Sequence, residues 1–241
     1  MLHVANVPRS PRRPDGVPTL QHAFYRPPRP LAGAVFDLDG LLVDSEDAWG
    51  RAEERTVAAL GHVWDPAVRV LLLGRGPRDA ARALAGFLGE PARETEIARL
   101  LLTFAGEELR VGPVARPGGR ELISALAARV PVAVATNSRR VLADISLEGT
   151  ALWPHVSALV CADDVAEPKP SPQPYLRACE LLGVPPDHAV AFEDSPTGVR
   201  AAKAAGLWVI GCPSFDDQPL GDADAVVGSL TQIDHRVLLH E

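Results

Sequence analysis

Hydrophobic residues fall into two rhythms along this chain. Five short runs, Ala34-Val35-Phe36, Val132-Ala133-Val134-Ala135, Ala158-Leu159-Val160-Cys161, Ala189-Val190-Ala191-Phe192 and Leu207-Trp208-Val209-Ile210, are essentially unbroken by polar residues. A strand wetted on one side alternates apolar with polar, so an unbroken run reads as a strand covered on both faces, as in the interior of a parallel sheet. A weaker run, Ala225-Val226-Val227, reads the same way. Between these runs the apolar residues take helical spacing. One helix opens at Pro117-Gly118-Gly119 and runs through Arg129, a second covers about 138–147, a third ends near Leu182, and a fourth runs through Ala205 to a stop at Gly206. Strand and helix in turn predict an α/β fold, a doubly wound (Rossmann-like) parallel sheet with right-handed crossovers.

The alternation is interrupted once. After Asp44-Ser45-Glu46-Asp47, which supplies an N-cap and acids for a first turn, Trp49, Ala52, Val57 and Leu60 mark a helix that ends at Gly61. Two more helical stretches, 77–88 and 92–110, flank Gly89-Glu90-Pro91, and Gly112-Pro113 closes the region. Residues 48–113 therefore read as a small all-helical domain inserted after the first strand, with 31–47 and 114–233 forming the α/β core. Residues 1–30 hold seven prolines and no hydrophobic period, and read as a disordered Pro/Arg-rich tail.

Composition narrows the setting. The 241 residues carry a formal charge of −7, yet residues 1–30 hold five arginines against one aspartate, so the remainder is more acidic still. An acidic body speaks against nucleic-acid binding. No run is long and apolar enough for membrane insertion or export, and three scattered cysteines (161, 179 and 212) do not suit a disulfide framework. The expectation is a cytoplasmic protein, monomeric or dimeric, with neither membrane nor nucleic acid as partner. Only two lysines, Lys169 and Lys203, stand among the 24 basic residues, so each is informative.

Candidate chemistry gathers at the ends of the strands. Asp37 and Asp39 follow the first strand, with Gly40 permitting a tight turn, and two carboxylates so close repel unless a cation or proton lies between them. Thr136-Asn137-Ser138 ends the second strand, where a hydroxyl and free amides suit a phosphate. Lys169 sits in the loop Pro168-Lys169-Pro170-Ser171-Pro172, and Glu193-Asp194 end the strand 189–192. Taken alone, the aspartates and Thr136 read first as ordinary caps, and Lys169 equally well as a solvated loop residue. A parallel sheet, however, brings the carboxyl ends of its strands to one rim. Carboxylates, a hydroxyl and a lysine converging there suit Mg²⁺ and phosphoryl transfer through an aspartyl-phosphate.

The ordered set Phe36-Asp37-Leu38-Asp39-Gly40, Thr136-Asn137-Ser138, Lys169-Pro170 and Glu193-Asp194-Ser195-Pro196-Thr197-Gly198 resembles the four motifs of the haloacid dehalogenase superfamily, over about residues 31–230. The insert is similar to that family's first type of cap domain, and the last motif to its β-phosphoglucomutase-like and sugar-phosphatase branch. The resemblance implies Asp37 as nucleophile, Asp39 as general acid and then base, and Lys169 as the cation that neutralises Asp37 and the phosphate. It implies Thr136 and Asn137 as substrate-binding residues, and Mg²⁺ held by Asp37, Asp39 through its carbonyl, Asp194 and Glu193. Arg78, with Arg75 nearby in the cap's glycine-flanked loop, is the candidate for a substrate anion, against the plainer reading of a solvent-exposed loop. The expected substrate is a small phosphorylated metabolite of sugar-phosphate type. The cap has no lysine, and Trp49 stands where a β-phosphoglucomutase would carry a histidine, which disfavours the mutase and a Schiff-base phosphonatase. A phosphomutase and a catalytically silent binding module remain the alternatives to a phosphatase.

Overall fold

The computed structural model describes residues 25–72, 76–215 and 219–241. Its centre is a six-stranded sheet in the order β5-β4-β1-β6-β7-β8, every neighbouring pair parallel. The strands are β1 (Gly33–Phe36), β4 (Val132–Ala135), β5 (Ala158–Val160), β6 (Ala189–Glu193), β7 (Trp208–Gly211) and β8 (Ala225–Val226). The five apolar runs form the five strands from β5 across to β7, and side chains on both faces of these strands are covered. Phe36, Val134, Phe192 and Ile210 pack toward α5 (Gly119–Ala127) and α6 (Arg140–Gly149). Val35, Ala133, Ala191 and Val209 face α7 (Gln173–Leu182) and α8 (Pro196–Ala204) on the other side. Phe36 and Phe192 stack across the β1–β6 ladder with ring centroids 4.4 Å apart.

The chain builds outward from β1 to β4 and β5, then crosses back to lay β6 on the other side of β1. Strand order therefore reverses between β1 and β6, the position where open α/β sheets bind ligands. In register, Phe36 pairs with Phe192, so Asp37 emerges beside Glu193, and the Asp37 amide donates to the Phe192 carbonyl (3.0 Å).

The helical insert comprises α1 (Glu46–Ala59), α2 (Pro66–Leu72), α3 (Pro77–Phe87) and α4 (Glu94–Val111). Val57, Leu60, Val68, Leu72, Leu84, Ile97 and Leu101 give it a core of its own. A second seam of small residues, Ala48, Ala52 and Ala105, brings α1 and α4 together and meets Leu142 of α6. The insert joins the core through a short antiparallel ladder absent from the sequence reading, β2 (Val43–Asp44) against β3 (Val114–Ala115). Also new are α2 and a terminal α9 (His235–Leu239). Among the described residues no helix is long and apolar enough to cross a membrane, and Cys161, Cys179 and Cys212 are all buried and free.

The expected tail needs correcting at its end. Residues 1–24 lie outside the described residues, but 25–30 dock on the C-terminal segment. Tyr25 is buried, its hydroxyl accepting from the Asp234 amide (2.9 Å) and donating to the Gln232 carbonyl (3.4 Å). The Pro27 carbonyl meets His240 Nε2 at 3.0 Å, and Arg29 pairs with Asp187. Tyr25→Phe is expected to lower stability by about 1 kcal/mol, the worth of a net intramolecular hydrogen bond. In urea unfolding the midpoint should fall with the slope unchanged, and an unmoved midpoint would return these residues to the tail.

Candidate active site

Four loops deliver the functional side chains to the rim between β1 and β6. The first leaves β1 as Asp37-Leu38-Asp39-Gly40 and turns sharply, with the Gly40 amide donating to the Val43 carbonyl at 2.8 Å. Gly40 has φ +83°, and a Cβ there would run into Asp194 Oδ2, so only glycine allows both the turn and the close carboxylate. Gly198, in the first turn of α8, has the same function for Glu193, whose carboxyl lies against the space a side chain would fill. That helix is capped by Ser195, whose Oγ accepts from the Gly198 amide (3.1 Å).

Lys169 is the electrostatic hub. Its Nζ donates to Asp37 Oδ1 at 2.5 Å and to Glu193 Oε1 at 2.6 Å, all three groups being buried. Asn137, expected at the substrate, holds the lysine's loop in place. Its Oδ1 accepts from the Lys169 amide (2.9 Å) and its Nδ2 donates to the Lys169 carbonyl (3.0 Å).

Asp37, Glu193 and Asp194 bring carboxylate oxygens within 4.8 Å of one another. One ammonium against three carboxylates leaves surplus negative charge. Burial, reinforced by Glu193 and Asp194, pushes the Asp37 carboxyl well above its usual range although Lys169 opposes it. Burial and Glu193 likewise push Asp194 up to about 7 against a Ser214 hydrogen bond. Burial works against the Lys169 charge, but Asp37 and Glu193 overcome it and hold the ammonium above its ordinary range. Buried carboxylates in this excess are stabilised by a cation, and an all-oxygen set suits a hard divalent ion.

Asp39 stands apart from that cluster. Its Oδ2 accepts from Ser138 Oγ at 2.6 Å and, more distantly, from Thr136 Oγ1 at 3.5 Å, while Oδ1 has no hydrogen-bond partner among the described residues. Thr136 itself is buried and its Oγ1 accepts from the Ser138 amide (3.0 Å). Two carboxylates on one loop are thus held by different partners, the arrangement that lets one act as nucleophile and the other carry protons.

The sequence reading missed three participants. Tyr175, on α7, donates from its hydroxyl to Glu193 Oε1, with its ring 5.0 Å from Lys169 Nζ. Ser214, in the loop after β7, lies 2.5 Å from Asp194 Oδ2 and 2.9 Å from the Gly40 carbonyl. Extending the strand-end rule to β7 would have pointed to Ser214, whereas no local signal marks Tyr175. The third is Arg69 of α2, which donates to the Glu46 carboxylate (2.8 Å) and to buried Glu53 (3.1 Å). Burial raises the Glu46 carboxyl, Arg69 lowers it, and the negative charge of Asp39 adds to the rise. Arg78 lies exposed in the first turn of α3, with no bond to the carboxylate cluster among the described residues, and Arg75 falls outside them.

A validoxylamine A 7′-phosphate phosphatase from Streptomyces hygroscopicus subsp. limoneus is 34% identical, over 83% of this chain and 94% of its own length. Hexitol phosphatase A of Escherichia coli is also 34% identical, over 83% and 92%. The crystal structure of CbbY from Rhodobacter sphaeroides in complex with phosphate superposes with a TM-score of 0.72 at 32% identity, covering 83% of this chain and 95% of that one. Residues 31–206 match the family model described as haloacid dehalogenase-like hydrolase, a span that carries every one of the four strand-end motifs, and the chain belongs to that family.

Proposed function

We propose that this hydrolase is a Mg²⁺-dependent phosphatase acting on a small, sugar-like phosphomonoester through an aspartyl-phosphate on Asp37. The observation that carries the reading is the separation of the two loop carboxylates, Asp37 bound to Lys169 and Asp39 bound to Ser138. The names of the relatives, a phosphatase of validoxylamine A 7′-phosphate and a hexitol phosphatase, support the substrate class. The absence of any lysine between residues 48 and 113 weighs against a phosphomutase or a Schiff-base enzyme.

In the proposed reaction an oxygen of Asp37 attacks phosphorus, the bond from phosphorus to the ester oxygen breaks, and Asp39 gives its proton to the departing alkoxide. A water then attacks the same phosphorus as Asp39 takes a proton from that water. The bond to Asp37 breaks, freeing phosphate and the original carboxylate. Lys169 neutralises the growing charge, and the Thr136 hydroxyl holds a phosphoryl oxygen. The acidic donors fit Mg²⁺, which Asp37, Asp194 and the Asp39 carbonyl would hold with Glu193 beside them. When bound it supplies charge that draws the anionic ester to a rim otherwise repelling it. Arg78 is the proposed contact for a more distant polar group of the substrate.

Mg²⁺ binds the folded rim and not the unfolded chain, so at a hundred times its dissociation constant it should add about 2.7 kcal/mol of stability. For a chain of this size the melting temperature should rise by about 5–10 °C. EDTA should reverse that rise and abolish hydrolysis across a panel of hexose, hexitol and pentose phosphates. Melting and turnover both indifferent to EDTA would overturn the metal dependence, and no turnover on any phosphomonoester would overturn the phosphatase.

A further inference from the structure

We propose that Tyr175 is a positioning residue of the catalytic centre, fixing Glu193 so that the ammonium of Lys169 is aimed at Asp37. This rests on the reading of Lys169 as the cation that serves Asp37. Three observations converge on it. The Tyr175 hydroxyl donates to Glu193 Oε1, the oxygen that also accepts from Lys169 Nζ. The Tyr175 ring lies 5.0 Å from that Nζ, so one side chain contacts both the cation and its counter-ion. Tyr175, Lys169 and Glu193 are all buried, so their contacts with one another are made out of bulk solvent.

The stoichiometry of donors explains what the hydroxyl does. Glu193 Oε2 is engaged only weakly, by the Ser195 amide at 3.4 Å and Ser195 Oγ at 3.2 Å, so the strong restraints on this carboxylate are all on Oε1. Without Tyr175 the only strong hydrogen bond to this carboxylate among the described residues comes from Lys169 itself. A neutral donor on Oε1 pins the carboxylate from the helix side. It also withdraws charge from that oxygen, so Glu193 competes less with Asp37 for the ammonium. Tyr175 touches no reacting atom, and its effect passes through Glu193 to Lys169. Its position on α7, six residues after Lys169, links the packing of the helix to the aim of the lysine.

Two lysines in the chain make this directly observable. In protein labelled with ¹⁵N-lysine, buried Lys169 should give a slowly exchanging ammonium signal distinct from that of surface Lys203. In the metal-free wild type, its protons should show cross-peaks to the ring of Tyr175, one of only two tyrosines. Tyr175→Phe keeps the ring and removes the hydroxyl. The Lys169 signal should shift and exchange faster, while kcat falls about tenfold, the effect of one lost charge-assisted hydrogen bond, with KM within about twofold. In a Glu193→Gln background the same substitution should change kcat less than about twofold, because the link is already broken. An unchanged Lys169 signal in Tyr175→Phe, missing cross-peaks in the wild type, or an equal loss in the Glu193→Gln background would each overturn the proposal. The spectroscopic results need no substrate, so they stand even if the phosphatase reading fails.

Discussion

A single turnover in ¹⁸O-labelled water is expected to place the label in inorganic phosphate and none in the carboxylate of Asp37. Asp37→Asn is expected to lower turnover by at least about 10⁴-fold, in keeping with the loss of a covalent nucleophile. The family admits attack on phosphorus or on carbon, and the two leave oxygen in different places. After attack on phosphorus the intermediate is an acyl phosphate whose phosphoryl oxygens face Lys169 and Thr136, so water strikes phosphorus. After attack on carbon the intermediate is a carboxylic ester, and water must strike the carbonyl carbon of Asp37 to release it. The presence of Asp39 beside Ser138 favours the first route, since a proton donor is of use when an alkoxide leaves. Mass spectrometry of the phosphate and of the peptide containing Asp37 separates the routes. Label in the Asp37 carboxylate would exclude phosphoryl transfer. The Asn variant keeps the shape of the side chain and removes a buried charge already destabilised by burial, so it should melt no lower than the wild type.

Asp39→Asn should cost about 10² to 10⁴-fold in the capture of an alkyl phosphate, the usual range for a general acid or base. The loss should be much smaller with p-nitrophenyl phosphate, whose leaving group departs without a proton. Ser138 Oγ can still donate to the Oδ of an asparagine, so the loop geometry is retained and the chemistry alone is altered. Rapid-quench measurement of the first turnover isolates this step from the later attack of water, which Asp39 also assists. Equal losses with the two substrates would remove Asp39 from the acid role.

The parts of the molecule legible in the sequence are those whose surroundings impose one composition. Strands β1, β4, β5, β6 and β7 are walled in on both faces, and that condition writes itself as unbroken apolar runs. The positions of Asp37, Thr136, Lys169 and Glu193 follow from the same fact, because each stands just past or at the end of such a strand, or in the loop after one. The β2–β3 ladder was not legible, since two residues per strand carry no period and their pairing joins points seventy positions apart. Helix α2 begins at a proline and spans seven residues, too short for its apolar spacing to stand out. Tyr25 lies in a proline-rich stretch that looks like a tail, and partners more than two hundred positions away, the Gln232 carbonyl and the Asp234 amide, help to order it. Asn137, Tyr175 and Ser214 were equally opaque in their roles, because a hydrogen bond across elements is decided by tertiary approach. Their own neighbours in sequence do not specify it.

The β2–β3 ladder also bears on how such a protein can change over evolutionary time. Asp44 pairs with Val114 and Val43 with Ala115, so the two points where the helical insert leaves and rejoins the sheet domain are hydrogen-bonded neighbours. To the sheet, everything between them is a single loop whose ends are already closed. Closure entropy rises by only about 0.6 kcal/mol for each doubling of loop length, so a tight turn and a four-helix insert differ there by roughly 2–3 kcal/mol. The ladder is therefore a graft junction. Recombination can exchange the piece it carries without disturbing the strand ends that hold Asp37, Lys169 and Glu193. Among the described residues a replacement must also satisfy the seam around Leu142 and Ile145 on α6.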